Sequence, residues 1–269
     1  EVRSIAVTSD GTPWIATDGG LACLKRTQMT LAEKARFYER QIDQFIKRTP
    51  YGYTSEVQLK APGDLSEIRY SDSDNDGLWT AMYGASQCFA VAVTGSEEHK
   101  AAAKKAFDAI RFLQTVTQNG SHSPPKGYIA RTILPTDGHN PNDGRLESDR
   151  RMRERGDRMW KLYEPRWPTS ADGKWYWKSD TSSDELDGHY FFLPLYYDLV
   201  ADTEVERERV REVVRDLTDH LLDHKFVLID IDGKPTRWAI FNPENLNQTP
   251  VWWIGRGLNS LSILAYLAV

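Results

Sequence analysis

With 269 residues and 40% hydrophobic content, the chain can bury a substantial core, which excludes a disordered chain and suits one large domain or one domain with a small appendage. The formal net charge of −5 comes from mixed signs spread along the chain, so nothing offsets the electrostatic cost of binding a nucleic-acid backbone, and no nucleic-acid partner is predicted. No apolar run approaches the roughly 20 residues of a membrane span, and no basic start leads into an apolar stretch.

Nine Trp and twelve Tyr are present, several of them in polar surroundings where a core would not place them. Such rings either stack on sugar faces or anchor loops. Cys23 and Cys88 are far apart in apolar contexts, giving neither a disulfide framework nor a metal pattern, and both read as buried thiols.

Residues 2 to 24 alternate in short apolar runs punctuated by Asp10-Gly11 and Gly19-Gly20, which predicts two or three strands. From Thr30, Leu31, Ala35, Tyr38, Ile42, Phe45 and Ile46 fall at helical spacing. Thr30 and Glu33 can form a capping box, and Thr49-Pro50 closes the run, so one helix over 30–48 is predicted.

An internal repeat follows. Residues 71 to 117 read as an Asp-rich loop, an apolar helix (78–93), a Thr94-Gly95-Ser96 turn and an amphipathic helix (97–116). Residues 179 to 224 repeat the plan with an apolar helix (189–200), an Ala201-Asp202-Thr203 turn and an amphipathic helix (204–224). An apolar helix beside a one-faced helix suits an inner ring surrounded by an outer one. Residues 226 to 241, turning at Asp232-Gly233, predict a β-hairpin, and an inner helix begins near Gly255. That last helix closes without a Gly, Pro or basic cap, so both ends are expected to be cut from a longer parent chain.

Two resemblances arise from these segments. The Asp-Gly turn, Trp14-Ile-Ala-Thr17 and Gly20-Leu21 order resembles part of a blade of the two-component-regulator type β-propellers, over about 23 residues. The repeated hairpins resemble the (α/α) toroids of glycoside hydrolases, polysaccharide lyases and sugar epimerases, in plan and not in a family motif. The expectation is a mainly α protein: a β segment over 1–25, then an incomplete (α/α) toroid over 28–269 with one internal β-hairpin. In such toroids the loops entering the inner helices form the active cleft.

The first of those loops carries Asp72, Asp74 and Asp76 before Gly77. This spacing resembles the opening of an EF-hand, but position twelve is Tyr83, which cannot supply the bidentate carboxylate. The three carboxylates either cap the helix, meet substrate hydroxyls or hold calcium, which is optional rather than required. The second loop gathers Asp184, Glu185, Asp187 and His189 near Trp175, Trp177 and Tyr190. Glycosidic hydrolysis needs two carboxyl groups across the bond, and Asp184, Glu185, Asp187 and Asp76 are candidates; the same acids fit a helix start. His189 reads as a general base, a metal ligand or a polar core residue. His220 and His224, at i and i+4 without an adjacent Glu, are assigned to a helix C-terminus.

The insert 118–174 exceeds ordinary loop lengths and supplies Arg131, the preferred contact for a carboxylate or sulfate. Its charged run over 149–158 reads as a solvated helix face. Trp252 and Arg256 before the last helix complete the candidate substrate contacts. The expected function is a carbohydrate-active enzyme, hydrolase or lyase, placed outside the cell or in the periplasm. The alternative is a non-catalytic binding or sensory module attached to a propeller.

Overall fold

In the computed structural model, which describes residues 1–70 and 74–269, the alternating N-terminal segment forms three antiparallel strands, β1 (Val2–Val7), β2 (Pro13–Thr17) and β3 (Gly20–Cys23), in that order. The Asp10-Gly11 turn is held by Asp10 Oδ1, which accepts from Thr12 N at 3.1 Å, with Gly11 at φ 80°. Cys23, on β3, is exposed, contrary to the buried thiol expected of it; Cys88 is buried. Helix α1 (Leu31–Gln41) starts at the predicted capping box: Thr30 Oγ1 accepts from Glu33 N at 3.2 Å and Glu33 Oε2 from Thr30 N at 2.8 Å. It is shorter than predicted. A wider π-helical turn over Ile42–Ile46 follows, and the next two residues become a strand. Glu1–Gln44 form one compact unit and Phe45–Val269 another, so α1 groups with the sheet.

The second unit opens with the strand pair β4 (Lys47–Arg48) and β5 (Tyr53–Thr54), then β6 (Val57–Leu59) paired with β7 (Ile68–Tyr70). Two helical hairpins follow, as the repeat predicts: α2 (Asp76–Thr94) with α3 (Glu97–Thr115), and later α5 (Ser183–Leu199) with α6 (Glu204–Asp223). Between them the insert contributes β8 (Ile133–Pro135), α4 (Arg145–Glu154) and β9 (Trp175–Trp177), with β8 antiparallel to β9. The predicted β-hairpin is β10 (Val227–Ile229) and β11 (Pro235–Ile240), followed by α7 (Pro243–Gln248) and α8 (Arg256–Ala268). The described residues are thus mainly helical with small antiparallel sheets; ring closure is not among the features they display.

The first helices of the two hairpins pack on each other through small residues. A Cβ on Gly84 would lie 2.6 Å from the Phe192 ring, and one on Gly188 only 2.8 Å from Leu78 Cα, so glycine is what lets α2 and α5 approach. Helix α2 is not buried all round, since Trp79, Met82, Phe89 and Val93 are exposed on it. Helix α5 begins six residues earlier than predicted, so Asp184, Glu185 and Asp187 are helical and not loop.

One glycine outside these helices ties the insert to α6. Gly127 has φ 90°, and a Cβ there would sit 1.9 Å from the Asp216 carbonyl oxygen. Gly127→Ala is expected to cost about 3 kcal/mol or more, because strain and a backbone clash act together. Gly173→Ala, at φ 71° with nothing within 4 Å of the new Cβ, is expected to cost only about 1 kcal/mol. Equal losses for the two in denaturant unfolding are the result that this account does not permit.

Candidate ligand site

The backbone around β8 and β9 positions the cations of the site. Arg131 N donates to Lys178 O at 3.1 Å and Lys178 N to Thr132 O at 3.0 Å, so the ladder runs on beyond β8 and places Arg131 and Lys178 near each other. Three of the five N–H donors of the Arg131 guanidinium are engaged: Nε by Asp74 O at 2.7 Å, Nη1 by Asp180 O at 3.1 Å and Nη2 by Asn75 Oδ1 at 3.2 Å. All three acceptors are neutral. Arg131 has no carboxylate within ion-pair distance among the described residues, although its charge acts on Asp74.

Arg131 forms part of a cavity of about 230 Å³ that also includes Asp74, Arg145, Trp160, Arg166, Lys178, Asp180, Arg237 and Trp238. Five cations thus line one small space against two carboxylates. Behind the wall, fully buried Asp149 accepts from Arg166 Nε at 2.7 Å and Trp160 Nε1 at 3.0 Å, and lies 3.0 Å from Arg145 Nε. Arg237 lies over Trp160 (5.4 Å) and Trp238 (4.5 Å) and pairs with Asp157 at 2.5 Å. Burial pushes the Asp74 carboxyl up, but Arg131 and Lys178 more than offset it and hold it below the ordinary range.

Asp180 joins the cavity to the interior. It sits at φ 64°, a conformation that Asp tolerates better than most residues. Its carboxylate accepts from Arg237 N at 3.0 Å and pairs with Arg166 at 3.4 Å, while its own N–H donates to Asp230 at 2.7 Å. Asp230 is fully sequestered and also accepts from Tyr128 Oη at 2.9 Å; burial raises its carboxyl above the ordinary value.

The carboxylates and histidine expected to do catalysis are not gathered at this cavity. Glu185 is fully buried: a Cβ on Gly77 would lie 2.0 Å from Glu185 Oε2 and 3.0 Å from Leu113. Neither carboxyl oxygen completes a hydrogen bond, and burial raises its pKa well above the ordinary value, with Arg131 and the Leu78 amide opposing and Asp184 and Asp74 adding. His189 is equally buried, with Nδ1 2.8 Å from Glu185 O, and burial lowers its pKa to about 4, which keeps the ring neutral. Asp187 accepts from Tyr266 Oη at 2.6 Å, and Asp184 takes the Ser182 hydroxyl at the helix start. Asp76 is buried against Arg48 and Thr132. An expected cluster at one open mouth is therefore corrected to a set of inward and divergent groups, because the first turn of α5 turns one face to α2 and another to α8.

The expected cation loop is likewise divided. Asp74 pairs with Lys178 at the cavity, Asp76 with Arg48 in the interior, and Asp72 lies outside the described residues. No group of three or more His, Cys, Asp or Glu arranged for a metal occurs among the described residues. Of the expected aromatic contacts, Trp177 is core, 6.0 Å from Tyr128, and Tyr190 stacks on Tyr266 at 4.2 Å. Trp175 packs edge-on to Tyr51 and Phe112 and borders an open cavity of about 810 Å³; Trp252 borders another of about 440 Å³. Arg256 is exposed near Trp253. His220 is fully used: Nε2 accepts from Ile229 N at 2.9 Å, so Nδ1 donates to Lys126 O at 2.9 Å, and zinc is left no ring nitrogen.

No family model matches the chain, and no curated protein or solved structure matches it either. Arg131 and Asp74 are the site residues common to the sequence reading and the cavity wall. Asp149 and Arg166 were missed: an Asp within an Arg-rich run reads as solvated, and only its partners 17 and 11 residues away show that it is interior.

Proposed function

We propose that this chain is a carbohydrate-active domain whose cavity at Arg131 holds an acidic sugar unit, a uronate or a sulfated residue. The observation that carries this reading is a small space walled by Arg131, Arg145, Arg166, Lys178 and Arg237 and flanked by Trp160 and Trp238. Guanidinium groups grip carboxylate and sulfate through paired N–H donors, and indole faces accept the apolar side of a sugar ring. At about 230 Å³ the space suits one sugar unit better than a drug-sized ligand. A ligand of this kind puts the protein outside the cell or in the periplasm, as part of the same proposal.

Binding without turnover is the second reading, favoured by the enclosure of Glu185 and His189. Incubating the full chain with neutral, uronate-containing and sulfated polysaccharides, and following reducing ends together with ultraviolet absorbance, separates the readings. New saturated ends mark hydrolysis, unsaturated uronates mark elimination, and saturable binding with neither marks a binding module.

Arg131→Ala is expected to weaken binding of an acidic oligosaccharide about tenfold to a hundredfold, the value of a charged hydrogen bond of roughly 1.5–3 kcal/mol. Arg131→Lys should recover only part, because a point charge replaces a fork. Titration calorimetry at matched thermal stability reads the effect. Unchanged affinity in Arg131→Ala would remove the proposal.

A further inference from the structure

The 230 Å³ cavity does not stand alone. It shares Trp160 and Arg237 with the cavity of about 440 Å³, and Arg145 with a third of about 400 Å³. That third one in turn shares Leu134 and Pro135 with the open cavity of about 810 Å³. Four spaces therefore adjoin in one succession along the β8–β9 hairpin and the end of the β10–β11 hairpin.

The charge of this succession differs from that of the chain. Its walls include twelve Lys and Arg against four Asp, whereas the whole chain has 34 basic and 39 acidic residues. Many of those cations are already paired, as Arg166 is with Asp149 and Lys161 with Asp232. Five have no ion pair among the described residues, and they are spread out: Lys174 at one end, Arg131 in the middle, and Arg153, Arg158 and Lys234 at the other. Of the lining carboxylates, only Asp137 is without such a pair. Three of the four cavities have a partly exposed Trp in the wall, Trp175, Trp160 with Trp238, and Trp252, while Trp167 in the fourth is buried.

We infer that the succession is a continuous track for a polyanionic glycan, one that engages several consecutive charged sugars and not a single terminal unit. A single acidic sugar would use Arg131 and leave cations at both ends without a counter-ion. A repeating anion with a ring at every unit matches the unpaired cations and partly exposed indoles found in three of the four cavities, at both ends and in the middle. The mixing of signs along the sequence hides this arrangement, which arises only when the insert and the C-terminal hairpin come together. The inference rests on the acidic-sugar reading above.

The test is titration of the full chain with two length series, oligogalacturonates and heparin-derived oligosaccharides, each from two sugars upward, beside neutral oligosaccharides and a single-stranded oligonucleotide. Affinity is expected to rise with length in at least one acidic series before levelling, to fall with salt and to be weak for neutral sugars. The two series tell carboxylate from sulfate. Arg153→Ala with Arg158→Ala, at one end, and Lys174→Ala, at the other, should each weaken the long oligomers about threefold or more and leave the disaccharide unchanged. Arg131→Ala should weaken both.

Length-independent affinity that still depends on Arg131 overturns the track while the single-sugar site stands. Loss of the Arg131 effect overturns both. Tighter binding of the oligonucleotide than of either glycan series overturns the choice of polymer.

Discussion

Arg48→Ala is expected to destabilise the second unit by about 3–5 kcal/mol, the loss seen when one partner of a buried ion pair is removed and the other is left in place. Arg48 joins three elements: its guanidinium contacts Asp76 at the start of α2 and Thr132 before β8, and Nη1 donates to Ile133 O at 2.7 Å. Asp76 has no solvent exposure, so a carboxylate there that loses its cation must be neutralised or hydrated at a cost. For a unit of this size the melting temperature should fall by roughly 10 °C. Arg48→Met combined with Asp76→Asn should recover most of that loss, because both charges leave together. A double variant as unstable as Arg48→Ala would mean that Arg48 acts through packing and not through Asp76. The same contact reaches the ligand site: Asp76 begins the helix whose preceding residue, Asn75, receives Arg131 Nη2, so Arg48→Ala should also weaken acidic-sugar binding.

How much of this was legible in the sequence follows from the range of the interactions concerned. Capping at Thr30 and Glu33, the turn at Gly95 with φ 64° and the β10–β11 hairpin are written in residues a few positions apart, and each appears where it was expected. The start of α5 was misplaced because Asp184, Glu185 and Asp187 are polar, and polarity was taken for exposure. In the fold Glu185 faces α2 instead, in a space that only Gly77 leaves open. The ligand cavity was the least legible part. Lys178 meets Asp74 across 104 positions and Tyr128 meets Asp230 across 102, and no local period carries such pairings. Arg131 was found because it stands in an insert too long to be a mere connection; Arg237 and Trp160 gave no comparable signal.

Glu185→Gln is expected to raise stability increasingly as pH rises above the ordinary Glu value of 4.5. Burial raises the folded-state pKa of Glu185, so between the unfolded and folded values the folded chain holds a proton that the unfolded chain has released. A group raised in this way supports the fold fully below its unfolded pKa and loses that support as pH climbs toward the folded one. Gln has nearly the shape of the protonated acid and does not titrate. The gap between the two proteins should widen by about 1.4 kcal/mol per pH unit in that window, or about 3–5 °C in melting temperature, and then level off.

His189 and His220 act with the opposite sign. Burial lowers both to about 4 from an ordinary 6.5, so the unfolded chain binds the extra protons, and their support is complete above 6.5 and lost as pH falls toward 4. Wild-type stability should therefore fall on the acid side through the histidines and on the alkaline side partly through Glu185, and Glu185→Gln should correct only the alkaline limb. Parallel pH–stability curves for the two proteins would show that Glu185 is ionised in the fold, held by Arg131 in preference to being neutralised by burial. A charged Glu185 would then act on Arg131 through space without forming an ion pair, and Glu185→Gln would strengthen the grip of Arg131 on an acidic sugar.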